Sequence, residues 1–470
     1  MKKPELLVPA GSLERLKTAF LYGADVVYCG TPAMSLRAQS KFTLDEVVEG
    51  IEYAHERDKK VYLTMNLIAH NSDIQKLPEY VDVLRQTNPD GVIVSDPAIF
   101  EYIHRELPDL NLHVSVQSCV TSWLGVSFWE KMGAKMCILA RELSKEEIAE
   151  IREKCPDIKI EMFFHGSMCM SYSGRCLLSN YFTGRGANQG KCAHSCRWNY
   201  KVHLKMKDDI KKEILLDNNS REIFDFLLQE ELRPDDLLEI EEYEGGSFLL
   251  NSKDLCLLPK LPDYMQIGVD CLKIEGRNKT QYYTGMIAQT YRKAIDDYFE
   301  NPDKWNYNDY LDDLYKISNR GYSLAFANGS PEYTANNYDM TKSLSEWEFA
   351  GFVKSYGNDY VNVEIKNRID TDDILYFLSP IDNKTYKVKM TQIINTKDEV
   401  VEYVSAGQEQ AIKIPLEMFE SAGIKKEKVI SLFPVLSLIQ KENTTLTAEQ
   451  NERIAKDKEE FRREIEKEIE

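Results

Sequence analysis

Four cysteines hold most of the chemistry this chain could perform. Cys169, Cys176, Cys192 and Cys196 follow the pattern C-x6-C-x15-C-x3-C inside residues 161–198, EMFFHGSMCMSYSGRCLLSNYFTGRGANQGKCAHSCRW. Thiolates bind soft metals and iron–sulfur clusters, and four of them can meet at one centre only if the backbone turns tightly. Gly174, Gly184, Gly186 and Gly190 provide such turns. Structural zinc sites usually carry two C-x2–4-C knuckles, and only Cys192 and Cys196 are that close, so the spacing favours an iron–sulfur cluster over zinc. Zinc remains the alternative, as does a set of small buried or disulfide-paired side chains. The flanking Gly, Ser and Asn make poor core material. The other six cysteines (Cys29, Cys119, Cys137, Cys155, Cys256, Cys271) are scattered, mostly within apolar runs that read as core, and Cys256 in NSKDLC is the candidate spare ligand.

Polar residues at strand ends are the second source of chemistry. Apolar, β-branched runs at 5–8, 25–28, 61–65, 91–94, 112–116, 135–139 and 158–163 alternate with amphipathic helical stretches at 13–22, 44–56, 77–86, 99–106, 123–131 and 145–154. Such alternation predicts a parallel sheet with crossover helices. An eighth strand, at 271–274, follows the cysteine loop and an acidic segment at 205–244. The expected fold is therefore α/β: a TIM-like (β/α)8 barrel over residues 1–335 with a cysteine-rich insertion (165–250) between strands seven and eight. An open doubly wound sheet would more often carry a glycine-rich phosphate loop, and neither GxGxxG nor GxxxxGK[ST] occurs. One mouth of such a barrel collects Asn66, Asp96, Gln117, Arg141, His165, Glu275 and Arg277, with Lys273 on the last strand. Asp96, in SDP, also reads as a helix start.

Charge limits the partners. Against 59 Lys and Arg stand 77 Asp and Glu, a net of -18, so bulk electrostatics would not hold nucleic acid, although a local basic groove could. No apolar run approaches the roughly 18 residues of a membrane span, and the start MKKPELLVPAG lacks the apolar core of a signal peptide. With ten cysteines available as ligands, a cytoplasmic protein away from membranes is expected.

A linker-like stretch at 330–343 precedes a change of pattern. Short strands with turns over 345–437 predict a small β-barrel, a shape often used for binding. Lysine-bearing segments at 366–368, 384–389 and 424–428 are candidate phosphate contacts, with Arg185, Lys191 and Arg197 at the barrel mouth as the alternative. Residues 438–470 are dominated by Glu and Lys, and Ile454, Phe461, Ile465 and Ile469 form a thin apolar stripe. A solvated helix lying on a protein partner is expected there.

The stretch EMFFHGSMCMSYSGRCLLS resembles the signature of the collagenase-like peptidases, family thirty-two of unknown catalytic type. Similarity extends through VPAGSLERLKTAFLYGADVVYCG, TMNLIAHN, HVSVQS, NQGKCAHSCRW and CLKIEGRNKTQYY, and the β-rich tail resembles the family's C-terminal domain. Within the family, SLRAQSKF, NQGKCAHSCRW and the tail are most similar to the members that make 5-hydroxyuridine at the wobble position of tRNA using prephenate. The resemblance implies a tRNA partner, prephenate as a dicarboxylate co-substrate, and a 4Fe-4S cluster on Cys169, Cys176, Cys192 and Cys196. In one relative the fourth ligand comes from the insertion instead of the C-x3-C knuckle. For such a reaction the strand ends at the barrel mouth offer a catalytic set of Asn66, Gln117, Arg141, His165, Lys273, Glu275 and Arg277, with the amides Asn66 and Gln117 for a base edge and the cations Arg141, Lys273 and Arg277 for the dicarboxylate. Two alternatives stand beside the hydroxylase. A peptidase would need a nucleophile with a positioned base, and neither HExxH nor a triad pattern occurs; His165, beside Ser167 and Cys169, is the one histidine near candidate nucleophiles. A non-catalytic RNA-binding or assembly protein would use a cluster for folding alone.

Overall fold

A computed structural model describes residues 2–30, 42–198, 251–329, 343–407 and 411–467, residues 335 and 337, and four short strands between 203 and 239. The SLRAQSKF segment up to residue 41, most of the acidic insertion and most of the expected linker lie outside the described residues.

Seven parallel strands follow one another around a barrel: β1 (Glu5–Pro9), β2 (Val26–Gly30), β3 (Lys60–Met65), β4 (Gly91–Val94), β5 (Leu112–Val114), β6 (Met136–Ile138) and β7 (Lys159–Ser167). Runs such as VVYCG and GVIV are buried along their whole length, as parallel strands covered on both faces require. The helices that cover them start where the sequence supplies caps. Ser12 accepts from the Arg15 amide ahead of α1 (Leu13–Leu21), and Thr43 and Glu46 form a capping box on α2 (Leu44–His55). After α3 (Leu77–Thr87), Asp96 caps α4 (Pro97–Glu106) by accepting from the Ala98 and Ile99 amides, so it is a helix start. Two further helices, α5 (Trp123–Lys131) and α6 (Lys145–Lys154), complete the series before the cysteine loop.

Two strands that lack any sequence period adjoin the barrel. β8 (Asp254–Cys256) runs antiparallel to the upper half of β7, with Asp254 opposite Ser167 and Cys256 opposite His165. Closure comes from β9 (Cys271–Ile274), which pairs with β1 at Glu5↔Cys271 and with β7 at Cys271↔Glu161, so the predicted eighth strand is in place. It leads into α8 (Gln281–Glu300), and the two-residue strand β10 (Tyr322–Ser323) pairs with β8.

The C-terminal domain is an antiparallel half-barrel of eight strands, with Phe377, Phe419 and Phe433 in its core. One inner strand is Leu438–Glu442, between Ile374–Leu378 and Trp347–Tyr356. The expected boundary at 437 therefore has to move: a cut there would remove a central strand. Its polar Gln440 is buried because the Tyr282 hydroxyl, from the barrel, donates to its Oε1 at 2.6 Å. Tyr282 also stacks on Phe349 at 5.4 Å, and the Tyr22 hydroxyl donates to the Leu378 carbonyl at 2.9 Å, so the two domains share packed side chains.

The terminal helix α9 (Ala448–Glu466) corrects a second expectation. Its stripe does not await a partner: Ile454, Phe461 and Ile465 are buried against this chain's own barrel, and Phe461 meets Tyr322 at 5.9 Å between ring centroids. Ion pairs Lys253–Glu460 and Lys458–Glu346, both 2.7 Å, flank the contact. Ile469 lies outside the described residues. Among the described residues no helix is long and apolar enough to cross a membrane.

Candidate active site at the barrel mouth

The carboxyl ends of the strands open into a cavity of about 400 Å3. Its floor is an ion pair inside the barrel, Lys273 Nζ to Glu161 Oε1 at 2.5 Å, with both side chains buried. Burial pushes the Glu161 carboxyl up from its ordinary value while Lys273 pulls it down. The ammonium stands 4.4 Å from the Tyr28 ring centroid and 5.3 Å from that of Phe163. Lys273 therefore faces the cavity with its charge already met, and it makes a floor rather than an open cation for a substrate.

Above the floor sit the other candidates. The Arg141 guanidinium lies 4.0 Å over the Phe163 ring and donates from Nη1 to the Ser167 carbonyl at 2.5 Å; its buried Nε makes no hydrogen bond among the described residues. Arg277 Nη1 donates to Thr64 Oγ1 at 2.8 Å, and Asn66 Nδ2 to Ser115 Oγ at 3.5 Å. Gln117 follows β5 in a short 3-10 turn, where its buried Oε1 has no hydrogen-bond partner among the described residues. Glu275 also lines the cavity. Glu142, directly after Arg141, was missed from the sequence: it lines the same wall and accepts from the Ser173 amide at 2.9 Å. Its place beside a strand-end arginine was the available signal.

His165 does not belong to this set. Strict alternation from Glu161 and Phe163 would turn it into the lumen, but β7 carries a bulge: Phe163 pairs with Lys273 and His165 already with Ile274. The extra residue reverses the parity. The ring instead enters an aromatic layer, with Nδ1 3.1 Å from the Tyr291 hydroxyl and edge contacts to Tyr291 and Tyr322, and burial lowers its pKa to about 3. Gly166, next in line, has φ +112°, and a Cβ there would clash with the Glu275 carbonyl. Cys256 likewise is no spare ligand at this mouth; it is fully buried beneath the same layer, its Sγ 3.9 Å from the Tyr291 hydroxyl.

The cysteine loop is fastened over the mouth by backbone. Gly174 (φ +76°) lies so close to the Gln117 carbonyl that any Cβ would collide with it, the Ile68 amide donates to the Asn188 carbonyl at 3.1 Å, and Ser173 is held by Glu142. Within the loop, buried Ser179 receives the Ala193 amide at 2.9 Å and donates to the Arg185 carbonyl at 2.8 Å. As a result Cys169, Cys176, Cys192 and Cys196 all line the one cavity. All four are free thiols, and no three His, Cys, Asp or Glu side chains among the described residues come close enough to hold a metal ion. The chemistry of the donor set suits a cluster although the four sulfurs are not gathered at one point: they are soft ligands on turning backbone around the one cavity, and the His194 amide donates to Cys192 Sγ at 3.4 Å, the kind of N–H to sulfur contact that tunes such centres. Cys196 is raised by burial, lowered by Arg197, and raised again by the charges of Cys169, Cys192 and Cys176.

The profile of Peptidase family U32 matches residues 11–337, and that of the Peptidase family U32 C-terminal domain matches residues 345–423. The tRNA hydroxylation protein P of Haemophilus influenzae is 36% identical over 420 residues, covering 85% of this chain and 90% of its own length. Its namesake in Escherichia coli is 36% identical over 432 residues, covering 88% and 94%. The 23S rRNA 5-hydroxycytidine C2501 synthase of Escherichia coli is 31% identical over 292 residues, 62% of this chain and 39% of that protein.

Proposed function

The chain belongs to Peptidase family U32, and from that premise we propose that it is a tRNA-modifying hydroxylase that makes 5-hydroxyuridine at the wobble position with prephenate as co-substrate and a 4Fe-4S cluster as cofactor. The names of its relatives support hydroxylation of tRNA. The observation that carries the finer reading is the convergence on one cavity of about 400 Å3 of the four thiols with Asn66, Gln117, Arg141 and Arg277, while Arg185 and Arg197 line it from the cysteine loop; the volume is within the range of small-molecule sites.

Turning a ring C–H into C–OH adds one oxygen atom and removes two electrons from the base, so a co-substrate has to accept the electrons, with the oxygen drawn from that co-substrate or from water. A cluster on Cys169, Cys176, Cys192 and Cys196 would supply one-electron transfer at the cavity wall. The remaining work falls to the chain's own side chains. Asn66 and Gln117 each offer an amide donor and acceptor, the complement of a uracil edge turned out of its stack. Arg141 and Arg277, held by Phe163 with Ser167 and by Thr64, present planar forks to carboxylates. The Glu161–Lys273 pair closes the lumen beneath them with no net charge. Peptide hydrolysis, the reading in the family's name, needs a base beside a nucleophile, and His165 points away from Ser167 and Cys169 into the aromatic layer.

Mass spectrometry of tRNA nucleosides from a gene deletion tests the proposal. 5-Hydroxyuridine and its derivatives are expected to disappear, to return with the wild-type gene, and to stay absent with Arg141→Gln. Undiminished 5-hydroxyuridine in a genome with no second copy overturns it. Protein that keeps iron and binds tRNA, yet restores no modification in the deletion strain, would be the non-catalytic RNA-binding protein instead.

A further inference from the structure

Residues 166–198 contain Arg175, Arg185, Lys191 and Arg197 and no Asp or Glu, in a chain whose net charge is -18. The same segment is unusually apolar on its outside. Of the eighteen exposed large apolar side chains among the described residues, six lie here: Met170, Tyr172, Leu177, Tyr181, Phe182 and Trp198. Tyr181 is 86% exposed and Tyr172 60%. Tyr181 and Phe182 sit on the short helix α7 (Leu178–Thr183) with their rings edge-on, 5.7 Å apart at 87°. Ser179, buried beneath them, fixes that turn through its bonds to Arg185 and Ala193 and the one it accepts from the Thr183 hydroxyl at 2.7 Å. The rings therefore stand on a held scaffold. Met170 and Tyr172, of the same exposed set, line the active-site cavity beside Cys169 and Cys176, while Tyr181 and Phe182 stand outside its lining.

Exposed aromatics among cations, with carboxylates absent, are the composition of a surface that binds unpaired nucleic acid: the cations meet phosphates and the rings meet bases. A second consideration points the same way. Extruding one base from an RNA loop breaks its neighbours' stacking, and a rim that restacks those neighbours recovers part of that cost. We infer that the outer face of the cysteine loop, centred on Tyr172 and Tyr181, is a stacking platform for the unpaired nucleotides that flank the base held in the cavity. This rests on the tRNA reading of the cavity and adds the protein surface that receives the nucleotides beside the modified one.

Fluorescence anisotropy with the full-length protein, a labelled anticodon-type stem-loop RNA and a fully paired RNA of equal length tests it. Tyr181→Ala and Tyr172→Ala should each weaken stem-loop binding on the order of tenfold, leave the fully paired RNA unaffected, and leave the salt dependence unchanged, because a stack releases no counterions. Tyr181→Trp should keep wild-type affinity. Lys191→Gln should instead flatten the logarithmic salt slope by roughly 0.7. Stem-loop affinities within about twofold of wild type in both alanine variants, with unchanged melting, overturn the platform. So does loss of self-association in sedimentation with RNA binding intact, which would make the patch a protein interface. The two readings fail separately. Wild-type protein that restores 5-hydroxyuridine while the tyrosine variants bind normally sinks only the platform, and a wild-type gene that restores none sinks the hydroxylase while the anisotropy still decides the platform.

Discussion

Cys29 and Cys192 carry the same side chain in opposite settings. Cys29, Cys137, Cys256 and Cys271 lie on β2, β6, β8 and β9 with no exposed surface. Burial pushes Cys29 and Cys256 up to about 12, and Cys271 rises well above its ordinary value through burial with Glu161 and Glu5 adding to it. Such thiols are small apolar fillers. In the loop, Cys169 is exposed and Cys176, Cys192 and Cys196 are half-buried, on backbone with no regular period. Thiol identity alone therefore says little. A strand's period delivers cysteine to a packed wall, while a glycine-rich turn fastened over a barrel mouth delivers it to a cavity where it can ligate.

The largest effect that could break this contrast is loss of the cofactor. Anaerobically purified wild-type protein should be brown with about four irons and four sulfides per chain. Cys169→Ala, Cys176→Ala and Cys192→Ala should each bleach it, whereas Cys29→Ala and Cys137→Ala should keep the colour and lose only stability. One equivalent of zinc with no iron–sulfur absorbance, or brown loop variants, would show that the loop thiols are not the ligands.

Alkylation sharpens the same contrast in metal-stripped, folded protein. At pH 8 a thiol with a pKa of about 12 is ionised to roughly one part in ten thousand, before exclusion of reagent from the wall is counted. Peptide mass spectrometry after brief iodoacetamide treatment should find Cys169 and its loop partners modified and Cys29 and Cys256 untouched. Equal labelling would mean that the barrel wall opens as readily as the loop.

What could be read from the sequence follows the same division between periodic and non-periodic structure. The eight barrel strands were legible because parallel strands buried on both faces are continuous apolar runs and the helices announce their caps, as Thr43 with Glu46 and Asp96 do. β8 and β10 were not, since strands of two or three residues take their form from the neighbour they pair with, β8 from β7 and β10 from β8, and not from a period of their own. The Leu438–Glu442 strand was hidden by Gln440, whose partner Tyr282 lies some 160 residues away. For the terminal helix, the stripe of Ile454, Phe461 and Ile465 was visible, but a stripe does not name the surface that covers it. At the site, Asn66, Gln117, Arg141, Lys273, Glu275, Arg277 and the four loop cysteines do open onto one cavity. His165 was lost to a one-residue bulge that no local pattern encodes.

The smallest effect concerns that histidine and asks whether the barrel wall silences His165 as it silences Cys256. Burial holds both His165 and His113 at about 3, so each is neutral in the folded protein across the ordinary pH range. In the unfolded chain a histidine takes up a proton near pH 6.5. The folded value is the depressed one, so the stabilisation is fully present above about 6.5 and is lost as pH falls toward 3. Each histidine contributes a slope of up to about 1.4 kcal/mol per pH unit within that window. Urea denaturation of His165→Gln between pH 4 and 7 should therefore show a shallower acid slope than wild type, on top of a uniform loss from the missing contact with Tyr291. Above pH 7 the two stability curves should run parallel. If instead the slopes agree throughout and tRNA hydroxylation in wild type follows a single ionisation near pH 6.5 that the variant lacks, His165 titrates in reach of substrate, and the bulge in β7 does not isolate it from the cavity.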